Sequence, residues 1–101
     1  MEVLVEAPRR TASRLSKAIH SRLRFALRRL AWLVPRAVVR LSEVERDVGD
    51  AGKRCEVRLN VVGTGDVVVA ATSGDWLQSI DDALKSAARR LERKYRRVYA
   101  G

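Results

Sequence analysis

A chain of 101 residues has material for one domain around a single core, residues 1–101, and not for two. Hydrophobic residues make up 47% of it and aromatic residues 5%, so that core must be aliphatic, and no apolar run nears the roughly 20 residues of a membrane span. The net charge of +9 and a pI near 11.0 favour polyanionic partners, nucleic acid before an anionic membrane. The opening Met1-Glu2-Val3-Leu4-Val5-Glu6 lacks the basic region and long apolar run of a secretion signal. A lone cysteine, Cys55, has no internal disulfide partner, and a reduced, cytoplasmic setting follows.

Val3 and Val5 alternate with Glu2, Leu4 and Glu6 in a short half-buried strand that ends before Pro8. Leu15, Ile19, Leu23, Ala26, Leu30 and Leu33 then recur at three- and four-residue spacing. They predict an amphipathic helix with Thr11 or Ser13 as its N-cap and Pro35 as its stop. A second strand follows, with Val39 and Leu41 inward and Val38, Arg40 and Ser42 outward. Residues 43–53, polar and holding Gly49 and Gly52, predict a mobile loop. Cys55, Val57, Leu59 and Val61 alternate with Arg54, Glu56, Arg58 and Asn60 in a third strand. Gly63-Thr64-Gly65-Asp66 makes a turn, and Val67, Val69 and Ala71 face inward from a fourth strand. The last helix opens at Asp75 with Gln78 three residues on, a capping-box pattern, and carries Leu77, Ile80, Leu84, Ala87, Leu91, Tyr95 and Val98 as its apolar stripe. Asp81 with Lys85, and Glu92 with Arg96, are spaced for ion pairs along it.

The order is β-α-β-β-β-α, an α+β fold. A right-handed crossover makes the first two strands parallel, and short connections make the last three an antiparallel meander. Small and polar residues on the outward strand positions put both helices on one face of this four-stranded mixed sheet, roughly parallel to each other. Arg28, Arg29, Arg93, Arg96 and Arg97 then gather at one edge.

Charge is not spread evenly. Residues 7–42 hold ten basic residues and no acid, and residues 85–101 hold seven basic residues against Glu92 alone. The segment between them is acidic on balance. Arg14, Lys17, Ser21, Arg24 and Arg28 recur opposite the apolar face of the first helix, as Lys85, Arg89, Arg93 and Arg96 do on the second. Such rows suit phosphate oxygens along a folded RNA. One row alone is an ordinary solvated face; two on neighbouring helices create a self-repulsion that an anionic partner relieves. With their neighbours Arg29, Arg90, Lys94 and Arg97 they form the candidate RNA-binding set.

Other candidates reduce to structure. Phe25 and Trp32, on the flank of the first helix, read as packing residues before base-stacking ones, and Trp76 covers the core edge. Tyr99 carries no signal. His20 has no companion at metal-ligand spacing, and Cys55 alternates inward as a small hydrophobe without a partner base. Asp81 and Asp82 diverge by about 100° on a helix, a poor acid/base pair. Gly63-Thr64-Gly65 precedes no helix and so is no phosphate loop. The chemistry of an enzyme, a metal site or a cofactor site finds no foothold.

Several stretches, taken with the strand order, resemble the ribosome hibernation-promoting factor and ribosome-associated inhibitor A (sigma-54 modulation) family, in its short single-domain form. Lys53-Arg54-Cys55-Glu56-Val57-Arg58 is similar to its third strand. Gly74-Asp75-Trp76-Leu77-Gln78-Ser79-Ile80-Asp81-Asp82-Ala83 is similar to the start of its last helix, which Arg89, Leu91, Arg93 and Arg97 continue. The chain departs from the pattern at Leu77, where the family often has Tyr and where Trp76 brings the aromatic one place earlier. It departs again at Ala7-Pro8-Arg9-Arg10, which lacks the usual glycine, and in the arginine content of the first helix. The resemblance implies a translation inhibitor that occupies the messenger and transfer RNA channel of the small ribosomal subunit through its basic helices. It implies neither a small-molecule substrate nor a membrane. No dimerisation domain is expected after Gly101, so pairing of ribosomes would need a separate dimerising factor. The alternative is a general structured-RNA module, similar to a double-stranded-RNA-binding domain, without preference for ribosomes.

Overall fold

The computed structural model describes residues 1–47 and 50–100, with side chains for 1–45 and 51–99. Strand β1 spans Glu2–Glu6, helix α1 Arg9–Leu27, β2 Arg36–Asp47, β3 Asp50–Asn60, β4 Val67–Ser73 and helix α2 Trp76–Tyr95. A 3₁₀ turn, Ala31–Leu33, follows α1, and a π-helical turn, Arg96–Ala100, follows α2.

The sheet runs in the order β1-β2-β3-β4. β1 is parallel to β2, with Val3 opposite Ala37 and Val5 opposite Val39. The other two pairings are antiparallel. Period-two alternation sends Ala37, Val39, Leu41, Cys55, Val57, Leu59, Val67 and Val69 to one face, where all are buried. The apolar stripes of both helices close over that face. Leu15, Ile19, Leu23 and Leu27 come from α1, and Ile80, Ala83, Leu84, Ala87 and Leu91 from α2. The expected α+β architecture, with both helices on one face, is what the chain adopts.

Five local expectations differ from the structure. The first helix starts at Arg9, two residues before Thr11, with Pro8 at its N-cap and no side-chain cap. The Pro8 carbonyl accepts the Ala12 N–H at 2.9 Å, and proline's fixed φ suits a helix start. The same helix ends at Leu27 rather than running to Pro35. Beyond Leu27 the hydrogen bonds shorten to three-residue spacing, Leu30 to Leu27, Leu33 to Leu30 and Val34 to Ala31. Val34 itself is extended (φ −118°, ψ 90°), as proline requires of the residue before it.

Residues 43–47 and 50–53 are strand, not loop. β2 and β3 continue as a two-stranded ribbon, pairing Glu43 with Lys53, Val44 with Gly52, Glu45 with Ala51 and Asp47 with Asp50. Gly49 lies outside the described residues. Antiparallel backbone bonds and the 2.6 Å ion pair from Lys53 Nζ to Glu43 sustain strand where the side chains are too polar to signal it. β1 pairs with β2 only up to Arg40, so the ribbon projects beyond it and lengthens the molecule to 48 × 26 × 18 Å.

Fourth, Asp81 pairs not with Lys85 but across the helices with Arg22, at 2.9 Å. The expected pair of Glu92 with Arg96 is present, also at 2.9 Å. Asp75 caps α2 by accepting the Gln78 N–H at 3.1 Å, but the Gln78 side chain bonds Asp82 instead of returning. The Asp75 N–H donates to the Ser73 hydroxyl in its place. Gly63 (φ 81°) and Gly65 (φ 83°) hold the β3–β4 turn in the left-handed region that favours glycine.

Candidate nucleic-acid interface

Because the buried stripes of α1 and α2 both face the sheet, their opposite faces both point away from it. On α1, Arg14, Lys17 and Arg24 are exposed, with Arg28 at its C-cap; on α2, Lys85, Arg89 and Arg93 are exposed, and Arg96 and Arg97 follow in the π-helical turn, exposed as well. The Arg22–Asp81 pair joins the middle of α1 to the start of α2. Further on, Ala26 and Leu27 line one groove with Ala88 and Leu91. The helices therefore run side by side in the same direction, and both rows belong to one surface.

Two of the candidate cations are turned elsewhere. Arg90 donates to the Val68 carbonyl at 3.4 Å and Lys94 to the Thr64 carbonyl at 2.9 Å, which draws them down beside β4 and its preceding turn. Arg29, just past the end of α1, lines the groove with Arg28 and Tyr95.

Ion pairing separates the two faces of the molecule. On the open face and edges of the sheet, Arg36 meets Glu2 at 3.6 Å, Arg40 meets Glu6 at 3.0 Å, Arg54 meets Glu56 at 3.4 Å and Arg58 meets Asp66 at 3.6 Å. On the helices, among the described residues, only Arg22 and Arg96 have a carboxylate within 4.0 Å. The helical surface thus carries a concentrated positive field, while the sheet's charges are largely cancelled locally.

The aromatic side chains depart from the packing expectation. Phe25 is 69% exposed, with the Arg28 guanidinium over its ring at 4.5 Å from the centroid. Trp32 packs in part, edge-on to Tyr95 at 6.4 Å and tilted to Tyr99 at 6.0 Å, yet stays 64% exposed. Tyr99, uninformative in sequence, stacks on Tyr95 at 5.3 Å. Only the parallel alignment of the two helices brings Trp32 to residues more than sixty positions away, and no local spacing signals that meeting. Trp76 is buried at the core edge as expected, with Lys53 Nζ 5.3 Å from its ring centroid.

His20 is half-buried on α1, and among the described residues no three His, Cys, Asp or Glu side chains are grouped to hold a metal ion. Burial pushes the Cys55 thiol up to about 12, outweighing the opposite pull of Arg54. A thiol so placed is a core hydrophobe at neutral pH. Asp81 and Asp82 are engaged separately, by Arg22 and Gln78. No described helix is long and apolar enough to cross a membrane.

Residues 9–99 match the family described as sigma 54 modulation protein / S30EA ribosomal protein. The chain belongs to this family. Its members are ribosome-associated modulation factors, and the match takes in every element but β1. Two solved structures share the fold. The N-terminal domain of Protein Y from Thermus thermophilus is 21% identical, with a TM-score of 0.64 over 92% of this chain and 98% of that one. A ribosomal subunit interface protein from Coxiella burnetii is 12% identical, with a TM-score of 0.65 over 92% and 96%. No curated protein sequence matches the chain.

Proposed function

We propose that this chain is a translation inhibitor that binds ribosomal RNA of the small subunit through its two arginine-rich helices and occludes the channel for messenger and transfer RNA. It acts as a single domain in the cytoplasm, as a hibernation factor during stress, and is not an enzyme. The reading rests on family membership and on the ribosomal subunit interface named for the Coxiella burnetii neighbour. One observation carries the assignment of the surface. Cations of the sheet face are matched by carboxylates, while Arg14, Lys17, Arg24, Arg28, Arg29, Lys85, Arg89, Arg93 and Arg97 have none within 4.0 Å among the described residues. Leaving so many guanidinium groups unmatched on one surface is favourable when phosphate supplies the missing charge.

Co-sedimentation with purified small subunits at graded salt tests this. With about six to ten phosphate contacts, affinity should fall by some three to five powers of ten between about 50 and 200 mM salt. Affinity unchanged over that range contradicts an RNA interface. Equal affinity for an unrelated RNA duplex of the same length would favour a general structured-RNA module instead.

A further inference from the structure

The C-terminal ends of α1 and α2 enclose a groove of about 480 Å³, within the size of small-ligand clefts. Its walls combine three features that the rows of arginine do not explain. Trp32 presents most of its ring to solvent, although a free tryptophan face is costly to leave wet. The ring is braced by Tyr95 and Tyr99, which also stack on each other, so its position is fixed before anything binds. Arg28 and Arg29 line the same groove and, among the described residues, have no carboxylate within 4.0 Å. The single acid in the lining, Glu92, is neutralised by Arg96 at 2.9 Å.

We propose that this groove holds an unpaired nucleobase of RNA, stacked on Trp32, with its flanking phosphates on Arg28 and Arg29. The proposal rests on the RNA reading of the helical surface and adds to it a site for a single-stranded residue. A duplex keeps its base faces stacked on neighbours and cannot offer one to Trp32, whereas a loop, bulge or free strand can. The charge suits an anionic chain, and a base has the flat apolar face that an exposed, pre-positioned indole matches.

The test uses the intact protein, a short single-stranded RNA, and the same strand with abasic positions, alongside isolated small subunits. Trp32→Ala and Trp32→Phe are compared with wild type, with thermal melts as fold controls. Wild type should bind the base-bearing strand about tenfold or more tightly over the abasic one, and quench Trp32 fluorescence on doing so. Trp32→Ala should lose that preference while keeping its salt dependence, and Trp32→Phe should keep most of the preference. Equal binding of the two strands by wild type overturns the base site. If Trp32→Ala also weakens small-subunit binding in that case, the groove receives a protein surface instead. Neither result touches the broader reading, which is tested separately by the salt dependence of small-subunit binding by wild type.

Discussion

Cys55 sits on the covered face of the sheet, opposite Leu41 on β2 and Ala71 on β4, and is fully buried. Its thiol titrates near 12 instead of the ordinary 9.0 because the thiolate would lose its water. The folded state thus holds its proton where the unfolded chain releases it. The stabilisation is complete below pH 9 and is lost as pH rises through 9 toward 12. In denaturant melts, the stability gap between wild type and Cys55→Ala should therefore narrow across that window. Alkylation by iodoacetamide at pH 8 should be slow in the fold and fast in denaturant. A gap that widens with pH, or a rapidly alkylated native thiol, contradicts the placement. Alternation along β3 was enough to show that Cys55 faces inward. It could not show that the buried Ser79 hydroxyl on α2 donates to the Lys53 carbonyl, because that bond depends on how α2 lies across β3.

At the scale of elements, strands and helices with an apolar face were readable because their periodicity reflects burial. The ribbon was not. Residues 43–45, 51 and 53 include charged and exposed side chains, and their strand pairing is held by backbone bonds between distant positions. The end of α1 was misplaced for a related reason. Leu30 and Leu33 keep the helical spacing, but the chain reaches Pro35 through tighter turns that the spacing does not record. The described side chains of the ribbon, at residues 43–45, 51 and 53, lie outside the hydrophobic core. Replacing residues 45–51 with Asn-Gly, a two-residue hairpin turn, should leave unfolding free energy within about 1 kcal/mol of wild type. Small-subunit binding should be retained as well. A large loss of thermal stability would show that the ribbon supports the core.

For the molecule as a whole, the composition made the excess of positive charge legible, and its segmental distribution located that excess on the two helices. What the sequence could not supply was the cancellation on the opposite side. Arg40 and Glu6 lie 34 positions apart and meet only through β1–β2 pairing, while Arg58 and Asp66 meet across a turn. Without those pairs, Arg54 and Arg58 on the sheet look as available as Arg24 and Arg28 on α1. The groove and its aromatic cluster likewise exist only once the helices lie side by side.

The surface assignment is tested most directly by three double charge reversals, Arg24→Glu with Arg28→Glu, Arg89→Glu with Arg93→Glu, and Arg54→Glu with Arg58→Glu. Each is pulled down with isolated small subunits, with thermal melts alongside. All three should stay folded, since the side chains lie outside the core and surface ion pairs such as those of Arg54 and Arg58 contribute about 0–1 kcal/mol. Both helix variants should lose small-subunit binding and relieve inhibition of translation, while the sheet variant retains most of both. Loss of binding in the sheet variant, with both helix variants still bound, would make the sheet the RNA platform and contradict the account.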